Sequence, residues 1–356
     1  MQKLLVTQCE RQEREMQMRD DLGITTKLEN GKAYLEFALP EKIGRLLSAL
    51  QIEIWEGAEG ERLVFHGEYS SEEADSMTAL LLRPHLWDGM RDPYVYLVKA
   101  QGRLGTVEYG ENMGGTKNEE ESEHAEDITE AVEVYWQQEL AIYDVHVIDK
   151  KGIFLNEKEF LPHEVVYRLP PQISDAGTRV EQVRRDLERL IRMGVNVIRL
   201  EGTGTGAEGV NCSEVRTFYS LCRKRGFLTG DLWIRPEKLP VYRGLPGETT
   251  CQALLAADGR TLTERYYYYQ AKWSSEPVLY PVLSTLHRQE NGLLSLTIYS
   301  NQKKVVLYVD GVLFLFQTAT SGDPEFIFED IPVAKLPLHL AAEAGNLSIS
   351  LTVTKL

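Results

Sequence analysis

The amino-acid sequence predicts a mainly β protein with an α/β insert, and two observations lead to that prediction. Short segments of alternating apolar and polar residues fill the first and last parts of the chain, as in Ala33–Leu39 and Leu347–Val353. The middle part changes to a helical period around Val180–Ile191. This change of period predicts an immunoglobulin-like β-sandwich at each end, with parallel strands and helices between them.

The composition is that of an ordinary globular protein of two or three domains. The chain has 356 residues, of which 43% are hydrophobic and 26% charged. Its 39 basic and 54 acidic residues give a net charge of −15, which disfavours nucleic acid and anionic membrane surfaces as partners. The sequence contains neither a long apolar stretch nor a signal-like start, so we expect no membrane span and a cytoplasmic location.

Motifs for metals, disulfides and cofactors are weak in the sequence. Cysteines at positions 9, 212, 222 and 251 lack CxxC spacing, and the histidines form no HxxxH or HExxH pattern. We therefore expect reduced thiols, no metal and no cofactor. The glycine-rich Gly202–Gly206 follows a predicted strand, where it would suit a phosphate, but it lacks the GxGxxG phase and a P-loop lysine. We therefore interpret Gly202–Gly206 as a flexible loop rather than a nucleotide-binding turn.

Residues 1–150 are predicted to form the first sandwich. Between its strands, Gly105–Asp127 combines glycines with a run of acidic residues that has little apolar surface to bury. We interpret this segment as a mobile hairpin loop, with an acidic partner-binding tail as the alternative. The strand candidates are Ala33–Leu39, Leu50–Trp55, Pro93–Val98, Ala131–Trp136 and Tyr143–Ile148.

Residues 151–262 are predicted to alternate strands and helices. Thr178–Glu181 has the pattern of a capping box and Gly194 that of a helix stop, which predicts a helix of about 15 residues. The order strand, helix, strand, helix, strand predicts about three parallel strands. The later part of this run consists of the strand Val195–Leu200, a second helix capped by Ser213 and ended by Gly226, and the strand Phe227–Thr229.

Residues 263–356 are predicted to form the second sandwich, reached through an irregular crossing that carries Pro236, Pro240 and Pro246. We interpret Tyr266–Trp273 as a strand whose alternate aromatic rings point inward, into a core or a domain interface, with sugar stacking as the alternative. The other strand candidates are Leu294–Tyr299, Val305–Val309, Phe326–Phe328 and Leu347–Val353.

Five stretches follow one another in the order of a known family's motifs. They are Leu86–Gly89 with Asp92–Tyr96, Lys151–Lys158, Asp186–Arg199, Phe218–Cys222 with Gly226, and Tyr266–Trp273 with Tyr299–Asn301 and Asp310–Gly311. In this order they resemble the "LWdG..dPYLY", "dGfflNGk", "D..lik.mGaNaiR", "fydLCDe.Gl" and "yyfYqaqWs…ysN" stretches of glycoside hydrolase family 2, the family of β-galactosidases and β-glucuronidases. The resemblance implies a sandwich, a barrel-derived segment and a second sandwich.

The resemblance also implies that most of the catalytic barrel is missing. A complete barrel takes roughly 200 to 250 residues, whereas about 100 lie between Phe160 and Tyr266. In the family, the acid/base glutamate follows an asparagine after the fourth strand, and the nucleophile comes from a later strand. Asn156–Glu157 falls in the hairpin stretch instead, so we assign it no catalytic role.

A few residues are weak candidates for a site. Glu201 and Asp231 follow predicted parallel strands, where catalytic groups usually lie, although solvated loop acids or helix-cap partners are the favoured interpretation. Trp233, Tyr268 and Trp273 are the weak candidates for carbohydrate binding. The separation of Glu201 and Asp231 could still permit a carboxylate site of unknown kind.

The resulting hypothesis is a catalytically inactive relative of glycoside hydrolase family 2 with a binding or assembly role linked to carbohydrate metabolism. One alternative is a glycosidase that acts through unplaced residues or is completed by a partner chain. Another is a carbohydrate-binding module without chemistry. The partner is then a carbohydrate or a protein, and a homodimer is a further option, because a partial barrel exposes the backbone of its outer strands.

Overall fold

A computed structural model of the protein describes residues 22–40, 43, 47–73, 76–104, 133–148, 150–169, 176–201, 212–229, 239–244, 253–320 and 322–355. The chain divides into two compact units, Met1–Leu161 and Pro162–Leu356. The three-part division at residues 150 and 262 stays a prediction. The predicted acidic loop 105–127 lies outside the described residues.

The first unit contains two antiparallel sheets that form the predicted sandwich. One sheet has the strand order β1-β2-β5 and the other β4-β3-β6-β7. The strands are β1 (Gly23–Glu29), β2 (Lys32–Ala38), β3 (Leu47–Glu56), β4 (Arg62–Ser70), β5 (Thr78–Leu82), β6 (Tyr96–Leu104) and β7 (Glu133–Leu140).

The period-two pattern of the sequence decides which face of each strand is buried. In β2, Ala33, Leu35 and Phe37 point into the core while their neighbours are exposed. Ile52 and Ile54 of β3 face them from the opposite sheet within the same buried cluster. The sandwich prediction for this part of the chain is therefore confirmed.

A small antiparallel sheet, β8 (Val145–Ile148), β9 (Gly152–Leu155) and β10 (Lys158–Phe160), completes the first unit. Asn156 occupies the tight turn between β9 and β10 with a φ of 49°. Its amide donates to the Trp87 carbonyl at 2.8 Å, and its side-chain oxygen accepts from the Asp144 N–H at 3.0 Å. Asn156 thus anchors the hairpin to the sandwich, which is a structural role.

The second unit begins with a parallel sheet that has more strands than the sequence predicted. The described strands lie in the order β13-β12-β11-β14-β15. The prediction of three strands followed by an irregular crossing is wrong, because two further strands of three residues each, one after Pro240 and one after Pro246, precede the second sandwich. The elements are β11 (Glu164–Tyr167), α1 (Ala176–Met193), β12 (Val197–Leu200), α2 (Cys212–Lys224), β13 (Leu228–Thr229), β14 (Val241–Arg243) and β15 (Ala253–Leu255).

The helix stops were predicted better than the helix starts. Gly194 and Gly226 follow α1 and α2 with φ angles of 87° and 81°, as glycine stops require. Thr178 and Ser213, however, lie inside the helices rather than at their N-caps, and α1 has 18 residues. The capping predictions are therefore wrong. Cys222 on α2 is buried with a free thiol, and burial raises the pKa of that thiol.

The aromatic segment before the second sandwich is a helix, α3 (Glu264–Trp273), so the predicted strand at Tyr266–Trp273 is wrong. Four consecutive tyrosines carry no alternation that would distinguish a strand from a helix. The negative charge of Glu264 in the first turn and the positive charge of Lys272 in the last turn stabilise the helix dipole. Contacts of α3 with the α/β layer and with the second sandwich therefore favour the helix over a strand.

The C-terminal strands form the second predicted sandwich. Its sheets have the orders β16-β17-β20 and β19-β18-β21-β22. Leu296, Ile298, Phe326 and Leu340 lie in its core and are almost completely buried. The strands are β16 (Leu279–Arg288), β17 (Leu294–Ser300), β18 (Lys304–Val309), β19 (Val312–Thr318), β20 (Glu325–Ile331), β21 (Leu338–Ala344) and β22 (Leu347–Val353).

Helix α3 contacts the parallel α/β layer on one side. The Tyr266 hydroxyl donates to the Arg189 carbonyl of α1 at 2.9 Å. The Trp273 ring stacks on His163, just before β11, with ring centres 5.2 Å apart. The backbone of α3 comes so close to Gly194 that a Cβ at this glycine would collide with the Trp273 carbonyl group.

The same helix contacts the second sandwich on its other side. Tyr267 stacks on Tyr280 of β16 at 3.7 Å between ring centres, and Tyr268 meets Tyr299 of β17 edge-to-face at 5.4 Å. The Glu264 carboxylate accepts the Ser284 N–H at 3.0 Å. Helix α3 therefore joins the two layers of the second unit.

Candidate functional site

The strand order of the parallel sheet points to one place for a site. From β11 the chain moves outward to β12 and β13, and then returns to the other side of β11 with β14 and β15. In open parallel sheets, ligands bind outside the carboxyl ends of the strands where the order reverses. We call this rim the carboxyl edge; its described residues follow β11, β12, β14 and β15.

An ion pair bridges the carboxyl edge between β11 and β12. Arg168 directs its Nε to one carboxylate oxygen of Glu201 and its Nη2 to the other, the latter at 3.3 Å. The Nη1 of Arg168 donates to the Arg243 carbonyl at the end of β14, at 3.2 Å. Glu201 thus lies at the end of a parallel strand, as predicted, but both of its oxygens are occupied by a guanidinium.

A second carboxylate at this edge belongs to a turn. Asp258 follows β15 and accepts the N–H groups of Arg260 and Thr261 at 2.8 and 2.9 Å, together with the Thr261 hydroxyl at 2.5 Å. The hydroxyl and the two N–H groups of this turn lower the pKa of Asp258 to about 2. Asp258 is therefore an ionised turn residue rather than a proton donor near neutral pH.

A buried polar network lies beneath the carboxyl edge. Asp186 of α1 is fully buried and accepts hydrogen bonds from the hydroxyls of Tyr167 and Tyr242 at 2.9 and 3.0 Å. The Arg243 Nη2 pairs with the same carboxylate at 2.7 Å. Burial, reinforced by the Asp186 charge, raises the pKa of both tyrosines, so they stay neutral donors.

Another buried pair lies on the opposite face of the sheet. Glu164 at the start of β11 is buried, and its Oε1 accepts the Nε of Arg199 from β12 at 2.9 Å. Residues alternate along β11, so Glu164 and Tyr167 point to opposite faces. On each face of the sheet, a buried acid is therefore paired with an arginine: Asp186 of α1 with Arg243, and Glu164 with Arg199.

Sequence reasoning missed Asp186, Tyr167 and Arg243. One signal for Asp186 was available, because this acid sits on the same helical stripe as the apolar Val183 and Leu190. An acid in such a stripe must find buried partners. Those partners could not be read from the sequence, because they lie on strands far along the chain.

The remaining sequence candidates have different outcomes. Asp231 and Trp233 lie outside the described residues. Tyr268 and Trp273 are half-buried on α3 against protein rings, and their role in carbohydrate binding stays a prediction. Across the described part of the chain, no three His, Cys, Asp or Glu side chains converge to hold a metal ion. No helix within the described ranges is long and apolar enough to cross a membrane.

The first unit carries a polar surface with two concavities. They have volumes of about 410 and 290 Å³, lie on the outer face of the sheet β4-β3-β6-β7, and share the side chains Gln51 and Gln101. Tyr135 is 65% exposed on this face, and its hydroxyl accepts the Gln101 amide at 3.1 Å. We call this surface the amide face.

Solved structures share the fold of the chain. A β-glucuronidase from Facaelibacterium prausnitzii L2-6, described as FMN-binding, matches 95% of the chain with a TM-score of 0.63 and 14% identity, over 74% of its own length. A putative β-galactosidase from Bacteroides fragilis matches 94% with a TM-score of 0.55 and 14% identity, over 73% of its length. A glycosyl hydrolase family 2 member from Bacteroides cellulosilyticus matches 94% with a TM-score of 0.53 and 13% identity, over 63% of its length.

These likenesses define the class of fold. The chain has the fold of glycoside hydrolase family 2 β-glucuronidases and β-galactosidases, over most of its own length and part of theirs. The predicted resemblance is confirmed at this level. No protein-family model matches the chain, and no curated protein does.

Substituting Asp186 tests whether the buried network holds the sheet together. Asp186→Asn keeps the shape of the side chain but leaves Arg243 without a buried counter-charge, so we expect a loss of about 3–5 kcal/mol in the free energy of unfolding. Denaturant-induced unfolding measures this loss. Glu181→Gln removes an exposed partner of Arg184 on the same helix and should cost less than about 1 kcal/mol. Equal effects of the two substitutions would contradict the network.

Proposed function

We propose that this protein is a non-hydrolytic relative of the β-glucuronidases and β-galactosidases, with a binding or assembly role. One observation carries the proposal: the carboxylates at the described carboxyl edge are already engaged. Arg168 occupies both oxygens of Glu201, and a turn occupies Asp258. Retaining glycoside hydrolysis needs two carboxyl groups about 5–5.5 Å apart, one of them protonated at neutral pH.

The strand order supports the same proposal. In a closed (β/α)8 barrel, each new strand adds beside the previous one, so a fourth strand would stand next to the third. Here β14 pairs with β11, and β13 has β12 as its neighbour in the described sheet. The resemblance places the family's catalytic glutamates on the fourth and later strands. This chain uses its later strands to extend the other side of the sheet.

Assays on chromogenic substrates test the absence of hydrolysis. With β-galactoside, β-glucuronide, β-mannoside and β-glucoside substrates, the purified full chain should release chromophore at the rate of a buffer blank. Glu201→Gln and Asp231→Asn should leave that rate unchanged, because neither carboxylate is proposed to act on substrate. Turnover by the full chain that either substitution abolishes would overturn the proposal.

A second candidate function, saccharide binding without chemistry, is supported by the amide face. Gln51 and Gln101 place two side-chain amides side by side, because they are direct partners across β3 and β6. Their nitrogens already contact His66 and donate to Glu133 and Tyr135, so it is their carbonyl oxygens that we propose as acceptors for a ligand. Tyr135, the partner of Gln101 on β7, adds an exposed aromatic ring. Hydrogen-bonding amides beside an open ring suit a sugar, which presents hydroxyls at its rim and C–H groups on its face.

Binding to a glycan array tests this second candidate. Tyr135→Ala should weaken the binding of any glycan that the full chain retains by about tenfold, which corresponds to ~1.4 kcal/mol for the lost ring contact. Tyr308→Ala is the matched control, because Tyr308 lies on a sheet and its hydroxyl is bonded to Glu343 at 3.2 Å, as the Tyr135 hydroxyl is bonded to Glu133. Unchanged binding by Tyr135→Ala, or no bound glycan, would rule out the amide face as a saccharide site.

A further inference from the structure

Strand β19 exposes an unusual set of side chains at the edge of the second sandwich. It is the first strand in the described order β19-β18-β21-β22, so β18 is its one partner in that sheet. The segment Val312–Thr318 contains no charged residue. Val312, Leu313, Leu315 and Phe316 are exposed by 69%, 57%, 43% and 53%.

The opposite edge of the same sheet shows that this exposure is specific to β19. In β22 the exposed residues are Ser348, Ser350 and Thr352, which hydrogen-bond readily with water. Natural sheet edges are usually kept soluble by charges, prolines or polar residues. Because 26% of the whole chain is charged, an uncharged apolar edge of seven residues stands out.

The exposed apolar side chains lie on both faces of the edge strand. Leu313 and Phe316 pair with Tyr308 and Val306, which alternate with core residues and point away from the core, whereas Leu315 pairs with Leu307 of the core. We call Val312, Leu313, Leu315 and Phe316 the edge patch. Its exposed area is on the order of 400 Å² per copy, in the range where apolar patches mark interaction sites.

We propose that β19 pairs antiparallel with β19 of a second copy of the chain about a two-fold axis. The occupant of this surface must supply both an unpaired strand backbone and apolar side chains. The β18–β19 ladder uses one side of the β19 backbone, and the other side has no partner among the described strands. A second copy presents that same side and the same patch. Antiparallel self-pairing satisfies both requirements with one sequence, as an isologous interface does.

Size and charge agree with this occupant. Pairing buries the free backbone edge of the two strands together with part of each edge patch, on the order of 1,000 Å² in total, which is about the area that a specific interface needs. Each copy carries a net charge of −15, yet β19 itself carries no charge, and the Lys304 ammonium of β18 lies over the Phe316 ring, 4.2 Å from its centre. The remaining repulsion acts at long range, so added salt should strengthen the dimer.

Sedimentation equilibrium of the full chain tests the proposal. We expect a monomer–dimer equilibrium that shifts toward the dimer as salt is raised from low to moderate concentration. Leu313→Lys places a charge in the paired edge and should raise the dissociation constant by at least tenfold. Ser350→Lys adds the same charge to the opposite edge of the sheet and should leave the dimer intact.

The contrary results are equally clear. A wild-type chain that stays monomeric at every concentration, or a dimer weakened equally by both lysines, would overturn the proposal. Hydrogen exchange of the wild-type chain gives a reading that does not depend on any variant folding. Amides of Val312–Thr318 should become protected as protein concentration rises, while those of Leu347–Val353 should not change.

Discussion

The packing of helix α3 is the interaction on which the second unit depends. The parallel sheet consists of described strands of only two to four residues, too short to be stable without a cover. Helix α3 supplies part of that cover through Tyr266 and Trp273, and it meets the sandwich through Tyr267 and Tyr268. Aromatic side chains suit this position because each ring buries a large area on either side of the helix.

The polar chemistry of the parallel sheet follows from the same need for stability. Asp186 ties α1 to β11 and β14 through two tyrosines and Arg243, and Arg168 ties the carboxyl edge of β12 to that of β14. Each acid therefore has a partner that fixes it in place. A catalytic acid needs instead surroundings that leave it free to give up a proton, and this difference underlies our proposal of a non-hydrolytic role.

The two sandwiches could be predicted from the sequence, because alternation over seven or more residues, as in β2 and β22, specifies a strand and its buried face. The ends of α1 and α2 at Gly194 and Gly226 could be predicted equally well. Helix α3 was not, since four tyrosines in a row have no period. Strand β14 could not be predicted either, because it directly follows Pro240 and its three residues are too few to show an alternation. Within the candidate site, the position of Glu201 was predictable, but Asp186 and its partner Arg243 are 57 residues apart in the chain.

Hydrogen exchange of Gly194→Ala in the full chain tests most directly whether α3 unites the second unit. A Cβ at Gly194 would collide with the Trp273 carbonyl, whereas one at Gly311, where φ is also positive, meets no atom within 4 Å. We predict that Gly194→Ala raises amide exchange in both β11 and β17, and that Gly311→Ala changes only the turn between β18 and β19. Exchange that rises in β11 alone, or equally in the two variants, would contradict the account.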